Sequence, residues 1–357
     1  MSRESAEIHH TGLTAREIYR KIVQRKGILL IAMGVALGIS FFVDLMTGPA
    51  ILSVRDVFHA VLFPKMSPSK TRVIVWIIRM PTALMAVAVG SALAIAGAQM
   101  QTILDNPLAS PYTLGIASAA GFGAALALVF GVAVVPALEA VVVPINAFVF
   151  AALSALGVYF IGRVKKRSRG TIVLAGIAFL FLFRSLVSLL QYFAGENELQ
   201  AIVFWLFGSL IKTTWPKLGA TLLVLGCVTP WFIVNAWKLT ALRMGDSKAG
   251  SLGVQVERIR MRVMLLTSFL TAIAVCFVGS IGFIGLVAPH LARMLVGEDQ
   301  RFFLPFSALT GAFLLSAASV TSKLIIPGVI FPIGIVTSLI GIPFFISMIV
   351  TKKRSYW

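Results

Sequence analysis

The sequence predicts an all-α, polytopic membrane protein of about ten transmembrane helices, and three observations lead there. Of its 357 residues, 59% are hydrophobic and only 12% charged, with a mean hydropathy of +0.96. Soluble proteins carry about twice that charged fraction. Apolar runs recur along the whole chain, and a bilayer core about 30 Å thick needs about 20 apolar residues per helix. The bases that produce a net charge of +18 sit in the gaps between those runs. That pattern orients a membrane protein, so lipid is the expected surroundings and nucleic acid is not an expected partner.

Taken in order, the spans fall near 27–47, 81–103, 113–133, 141–162, 172–193, 217–236, 263–281, 287–297 (short), 303–320 and 333–350. Residues 1–26 form a charged cytoplasmic segment, 27–350 the transmembrane domain and 351–357 a cytoplasmic tail. The first apolar run follows a long charged stretch and is long enough to span, so a cleavable signal peptide is not expected. Of the 31 Lys and Arg, 22 are assigned to one side under this topology and 8 to the other, with Arg184 in the middle of a span. An even span count with both termini cytoplasmic satisfies the positive-inside rule.

Two outer connections carry structure of their own. Ser53 and Asp56 have capping-box spacing, and Val54, Val57, Phe58 and Val61 follow at helical spacing. This predicts a short surface helix, closed by a turn through Pro64, Ser67, Pro68 and Ser69. The second connection, Glu196 to Pro216, contains Trp205 and Trp215 and fits either a half-helix dipping into the interface or a plain aromatic belt. On the cytoplasmic side, the connection at about 238–262 contains two short helical pieces punctuated by Gly245 and Gly253. A loop of that length on a compact protein suits the docking of a soluble partner.

Much chemistry is missing. There is no phosphate-cradling G-x-x-x-x-G-K-[ST], no H-E-x-x-H and no G-x-S-x-G. His9, His10, His59 and His290 are too scattered for a shared metal. Cys227 and Cys276 lie inside apolar stretches and read as small core residues. No carboxylate pair lies within the spans; Asp44 and Glu139 sit at span ends. Proton-coupled carriers rely on such intramembrane relays, so uphill transport by this chain would draw its energy from another chain. Arg184, in mid-span, is expected to face a cavity or partner. One reading makes it, with Gln191, part of a path for an anionic solute; the other ties it to helix-end carbonyls.

Two segments are more specific. One contains Arg79-Met80-Pro81, Gly90, Gly97, Gln101 and Asn106-Pro107-Leu108-Ala109-Ser110-Pro111. The other runs from Gly279 through Gly282, Gly285, Pro289 and His290 to Arg293, then Pro332-Ile333-Gly334 and Gly341-Ile342-Pro343. Together they resemble the FecCD family, permeases of binding-protein-dependent ABC importers for ferric siderophores, haem and vitamin B12. The resemblance implies a type II ABC importer permease fold with an inverted repeat, paired with a second permease as homodimer or heterodimer. It implies ABC ATP-binding subunits below, which hold the ATP and Mg, and a periplasmic or lipid-anchored solute-binding protein above. This chain is then a non-catalytic transport subunit with no cofactor or metal of its own, in the bacterial inner membrane. Gly245, Asp246, Ala249, Leu252 and Gly253 match the family's ATPase-coupling pattern. Arg79, Thr82 and Lys323 match its binding-protein docking positions, with departures: Thr82 replaces an arginine, Ser319 and Lys323 stand in a D-x-x-x-R pattern, and Ile330 replaces an acid. For the motif residues themselves, Asn106 with Pro107 reads as a turn and cap. Pro289 suits the first turn of the short eighth helix, and His290 beside it reads as structural. Ferric siderophore is the expected cargo, with haem and vitamin B12 as alternatives; an ion-coupled carrier is the reading from a different class.

Overall fold

The computed structural model describes residues 14–50, 52–131, 141–164, 169–326 and 328–351. The expected basic loop at Lys165, Lys166 and Arg167, the first thirteen residues, Glu139 and the tail at Lys352, Lys353 and Arg354 lie outside the described residues. Among those described there are helices and no strand. They are α1 (Ala15–Met46), α2 (Val54–Leu62), α3 (Ser69–Leu104), α4 (Ile116–Phe130), α5 (Val142–Val164), α6 (Arg169–Phe193) and α7 (Glu196–Leu206). Then come α8 (Trp215–Val234), α9 (Ala236–Leu242), α10 (Asp246–Ser251), α11 (Val256–Val278), α12 (Ile284–Val296), α13 (Gln300–Leu324) and α14 (Ile333–Thr351).

Seven of these (α1, α3, α5, α6, α8, α11 and α13) are long and apolar enough to cross a membrane. The apolar helices α4, α12 and Ile333–Ser347 of α14 are shorter. Every predicted span thus has its helix, but three lack the length of a full crossing.

Local chemistry explains the boundaries. Thr14 and Glu17 form a capping box that starts α1 well before Gly27. At 32 residues and about 1.5 Å per residue, α1 outruns the hydrocarbon core and carries Arg16, Arg20 and Lys21 beyond it. The Ser53 hydroxyl accepts from the Asp56 amide and donates to its carboxylate at 2.7 Å, which starts α2. Its Val57 and Ala60 face inward, and Phe58 and Leu62 face outward. Helix α3 begins at Ser69, not near 81. Residues 73–79 wind as a π-helix that runs directly into Met80, so the helix passes through Pro81. The wider turn absorbs the proline, which has no N–H and whose ring crowds the carbonyl four residues back.

Nearly every residue from Met80 to Leu104 is buried, so α3 is the central helix. Small residues let it pack backbone to backbone, as in membrane bundles generally. A Cβ on Gly90 would strike the carbonyl of Gly311 in α13, and one on Gly97 would strike the carbonyl of Gly285 in α12. Pro289 lies well inside α12 rather than in its first turn. Its missing N–H leaves the Gly285 carbonyl without its usual helical donor, and that carbonyl lies against Gly97. The break between α11 and α12 falls at 279–283, so Gly282 lies within it and Gly285 is already helical.

The repeat is visible in the contacts. A long buried helix, a break with left-handed residues and a short helix occur twice. The first is α3, Asp105 (φ 49) and Gly115 (φ 78), then α4; the second is α11, Gly279 (φ 75) and Phe283 (φ 67), then α12. Helix α3 packs on α13 and α12, and α11 packs correspondingly on α5 and α4.

Candidate functional site

Three places hold the expected functional residues. At one end of α3, Arg79, Thr82 and Lys323 line one cavity of about 230 Å³, together with Ser209, Ser319 and Phe331. The side chains of Arg79, Thr82 and Lys323 are all largely buried within this chain. Arg79 is 5% exposed, and its guanidinium caps the end of α1, donating to the carbonyls of Leu45 at 2.8 Å, Met46 at 2.9 Å and Ala50. Helix C-termini leave such carbonyls without partners. The Thr82 hydroxyl donates back to Ile78. Lys323 donates to the Asp44 carboxylate at 2.7 Å, and both side chains are buried. Ser319 donates to the same carboxylate oxygen at 2.8 Å. Asp44, dismissed in the sequence as a span-end residue, supplies from α1 the acid that position 319 lacks. Its second oxygen is buried without a hydrogen-bond partner among the described residues.

The connection from Glu196 to Pro216 contains a short helix, α7. Its end turns at Gly208, and the Ser209 amide donates to Val278 at the end of α11. The Gly334 amide donates to Phe207, so the start of α14 joins the same junction; Pro332 accepts from the Ile335 amide just beside it. Trp215 stacks on Trp76 at 6.3 Å and donates to its carbonyl.

At the other end of α3, α9 and α10 fold as two short helices. Gly245 (φ +98) and Gly253 (φ +82) take left-handed backbone that other residues adopt only under strain. Ala249 is fully buried beneath them, whereas Met244 and Leu252 are about half exposed. Asp246 is itself exposed, but both of its carboxylate oxygens accept from the buried Arg260, at 2.9 and 2.8 Å. Two apolar side chains therefore project from an otherwise polar loop, anchored on a buried alanine and an arginine fork.

The third place is α6. Leu190, Val187 and Phe183 face the bundle, while Phe181, Arg184, Ser185, Ser188 and Tyr192 are exposed and Gln191 is half-buried. Arg184, Ser188 and Gln191 recur at helical spacing and form one polar stripe. Arg184 makes no hydrogen bond or ion pair among the described residues, so the helix-end reading of that residue finds no support.

The remaining motif residues are structural in their contacts. Gln101 accepts from Arg293 at 3.1 Å. The Asn106 side chain accepts from the Leu108 amide at 2.9 Å, making an Asx turn with Pro107 at its centre. His290 is 6% exposed and packs edge-on against Phe344. Among the described residues no group of His, Cys, Asp or Glu is placed to hold a metal.

Comparison with known proteins agrees with this architecture. Residues 35–351 match the model of the FecCD transport family. The chain is 36% identical to the hemin transport system permease HmuU of Yersinia pestis, over 78% of this chain and 84% of that one. It is 34% identical to the vitamin B12 import system permease BtuC of Vibrio cholerae, over 79% and 84% respectively. A solved structure described as an inward-facing metal-chelate type ABC transporter is similar at a TM-score of 0.78 and 30% identity. It covers 92% of this chain and all of its own.

Proposed function

This chain belongs to the FecCD transport family and is an ABC importer permease, and we propose that it carries a ferric siderophore complex across the bacterial inner membrane, both termini cytoplasmic. ATP and Mg are held and hydrolysed by separate ABC subunits, which seat on Met244 and Leu252. A solute-binding protein delivers the cargo from outside. The observation that carries the choice of cargo is Arg184, a cation exposed on an apolar span. Exposed to lipid it would be costly. Covered by a second permease, the stripe of Arg184, Ser188 and Gln191 lines a polar path that attracts an anionic chelate.

Haem or vitamin B12 is the second reading, because the relatives named for those cargoes are similarly identical. Reconstituted with its ATPase and binding protein, the chain is expected to take up a ferric catecholate or carboxylate complex and to lose most of that uptake with Arg184→Ala. Uptake of haem or cobalamin alone refutes the siderophore assignment.

A further inference from the structure

Helix α3 ends at Asp105, which turns left-handed (φ 49) into the Asn106–Pro107 turn. Three arginines from three other parts of the chain converge on this last turn. Arg293 of α12 donates to the Gln101 side chain at 3.1 Å. Arg260 of α11 donates through Nε to the Ile103 carbonyl at 3.1 Å. Arg243, just after α9, donates to the Asp105 carboxylate at 2.7 Å.

The same side chains reach the α9–α10 element. Arg260 is 4% exposed, and its Nη2 holds Asp246 at the head of α10. Arg243 belongs to that element and also grips Glu298 through Nε at 3.1 Å and through Nη2. Glu298 in turn meets Arg293 at 3.1 Å. The helix–strut–helix path is therefore continuous from Asp246 through Arg260 to Ile103, and from Arg243 to Asp105.

Capping the end of α3 requires no such set, because one donor satisfies a carbonyl. Charges that only orient the chain need no buried fork either. Two features make the pattern mechanical. First, α10 lies between Gly245 and Gly253, both left-handed and neither crowded by neighbouring atoms. Buried Ala249 seats it against the bundle, and the Arg260 Nη2 contact with Asp246 ties its head to α11. Second, an arginine held at both ends by directional, charge-assisted bonds transmits displacement in a way a point charge does not.

We propose that Arg260 and Arg243 are positioning residues that convert movement of α9–α10 into movement of the last turn of α3, and through it of the break leading to α4. This rests on the reading of the chain as an ATP-driven permease. Neither arginine touches cargo or nucleotide in this account; each acts through the helix it holds.

The test uses the whole importer in proteoliposomes, with ATP hydrolysis and solute uptake measured on the same vesicles. Arg260→Gln and Arg243→Gln are each expected to lower the solute carried per ATP hydrolysed at least tenfold, while the ATPase still copurifies with the chain. Arg260→Lys, which keeps the charge but cannot bond Asp246 and Ile103 together, is expected to show the same loss. An unchanged ratio in Arg260→Lys overturns the strut, because charge alone then suffices. A parallel fall in uptake and hydrolysis in all three variants also overturns it, because the arginines then serve only folding. If the glutamine variants fail to fold, the lysine variant decides by the same ratio. Wild-type vesicles with no ATP-driven uptake overturn the permease reading itself, and the strut with it.

Discussion

Removing the amine of Lys323 should destabilise the contact between α1 and α13 far more than a surface charge change would. The perturbation is Lys323→Met, which keeps the length of the side chain and deletes its cation. Asp44 is 0% exposed and lies 2.7 Å from Lys323 Nζ. Coulomb attraction at that distance is about 6 kcal/mol at an effective dielectric near 20. Part of that offsets the cost of taking both groups out of water. What a single change exposes is the uncompensated partner, a penalty of about 3–5 kcal/mol. Replacing both residues, as in Asp44→Leu with Lys323→Met, leaves no orphaned charge and should recover most of the loss. The assay is a double-mutant cycle on the purified chain in detergent, followed by thermal or denaturant unfolding. A coupling of about 2 kcal/mol or more is expected from a contact of this kind. If Lys323→Met leaves stability unchanged and only weakens capture of the binding protein, Lys323 is a surface docking charge and the reasoning from burial is wrong.

Leu252→Asp is expected to cut ATPase association at least tenfold while the chain stays folded, since Leu252 is half exposed; pull-down and stimulated hydrolysis report it. Gly97→Leu should abolish assembly, because a Cβ there already meets the Gly285 carbonyl; size-exclusion chromatography checks this, with Gly34→Leu, which has open space, as the control. Arg301 holds the Asp299 carboxyl below its ordinary value. That cap on α13 is therefore fully present above about pH 4 and is lost only as pH falls through the lowered value. Hydrogen exchange at the Arg301 amide should speed up only in that acidic range.

Much of the framework is legible in the residues, and the failures have causes. Hydropathy located a helix at every predicted span, and the Ser53–Asp56 spacing located α2. Helix α3 starts well before the span expected near 81, because a π-helical stretch carries it through Arg79 and Pro81. The α7 helix was undecidable from composition, since aromatic residues at an interface look alike whether helical or not. Asp44 shows the deeper limit. Its partner lies 279 residues away, and no local pattern joins a span-end acid on α1 to a lysine on α13. Arg243 and Arg260 were counted only as charges that orient the chain. Their bonds to Asp105, Asp246 and Ile103 arise where three separate helices end at one level. Periodicity reads faces of a helix well, but it does not read which helix ends meet.

The most direct measurement is radioactive ferric-chelate accumulation in sealed vesicles containing this chain, compared with and without an ABC ATPase and ATP. Accumulation above the external concentration is predicted only when both are present, and it should stop when the ATPase is inactivated. Concentrative uptake by the chain alone would contradict the account.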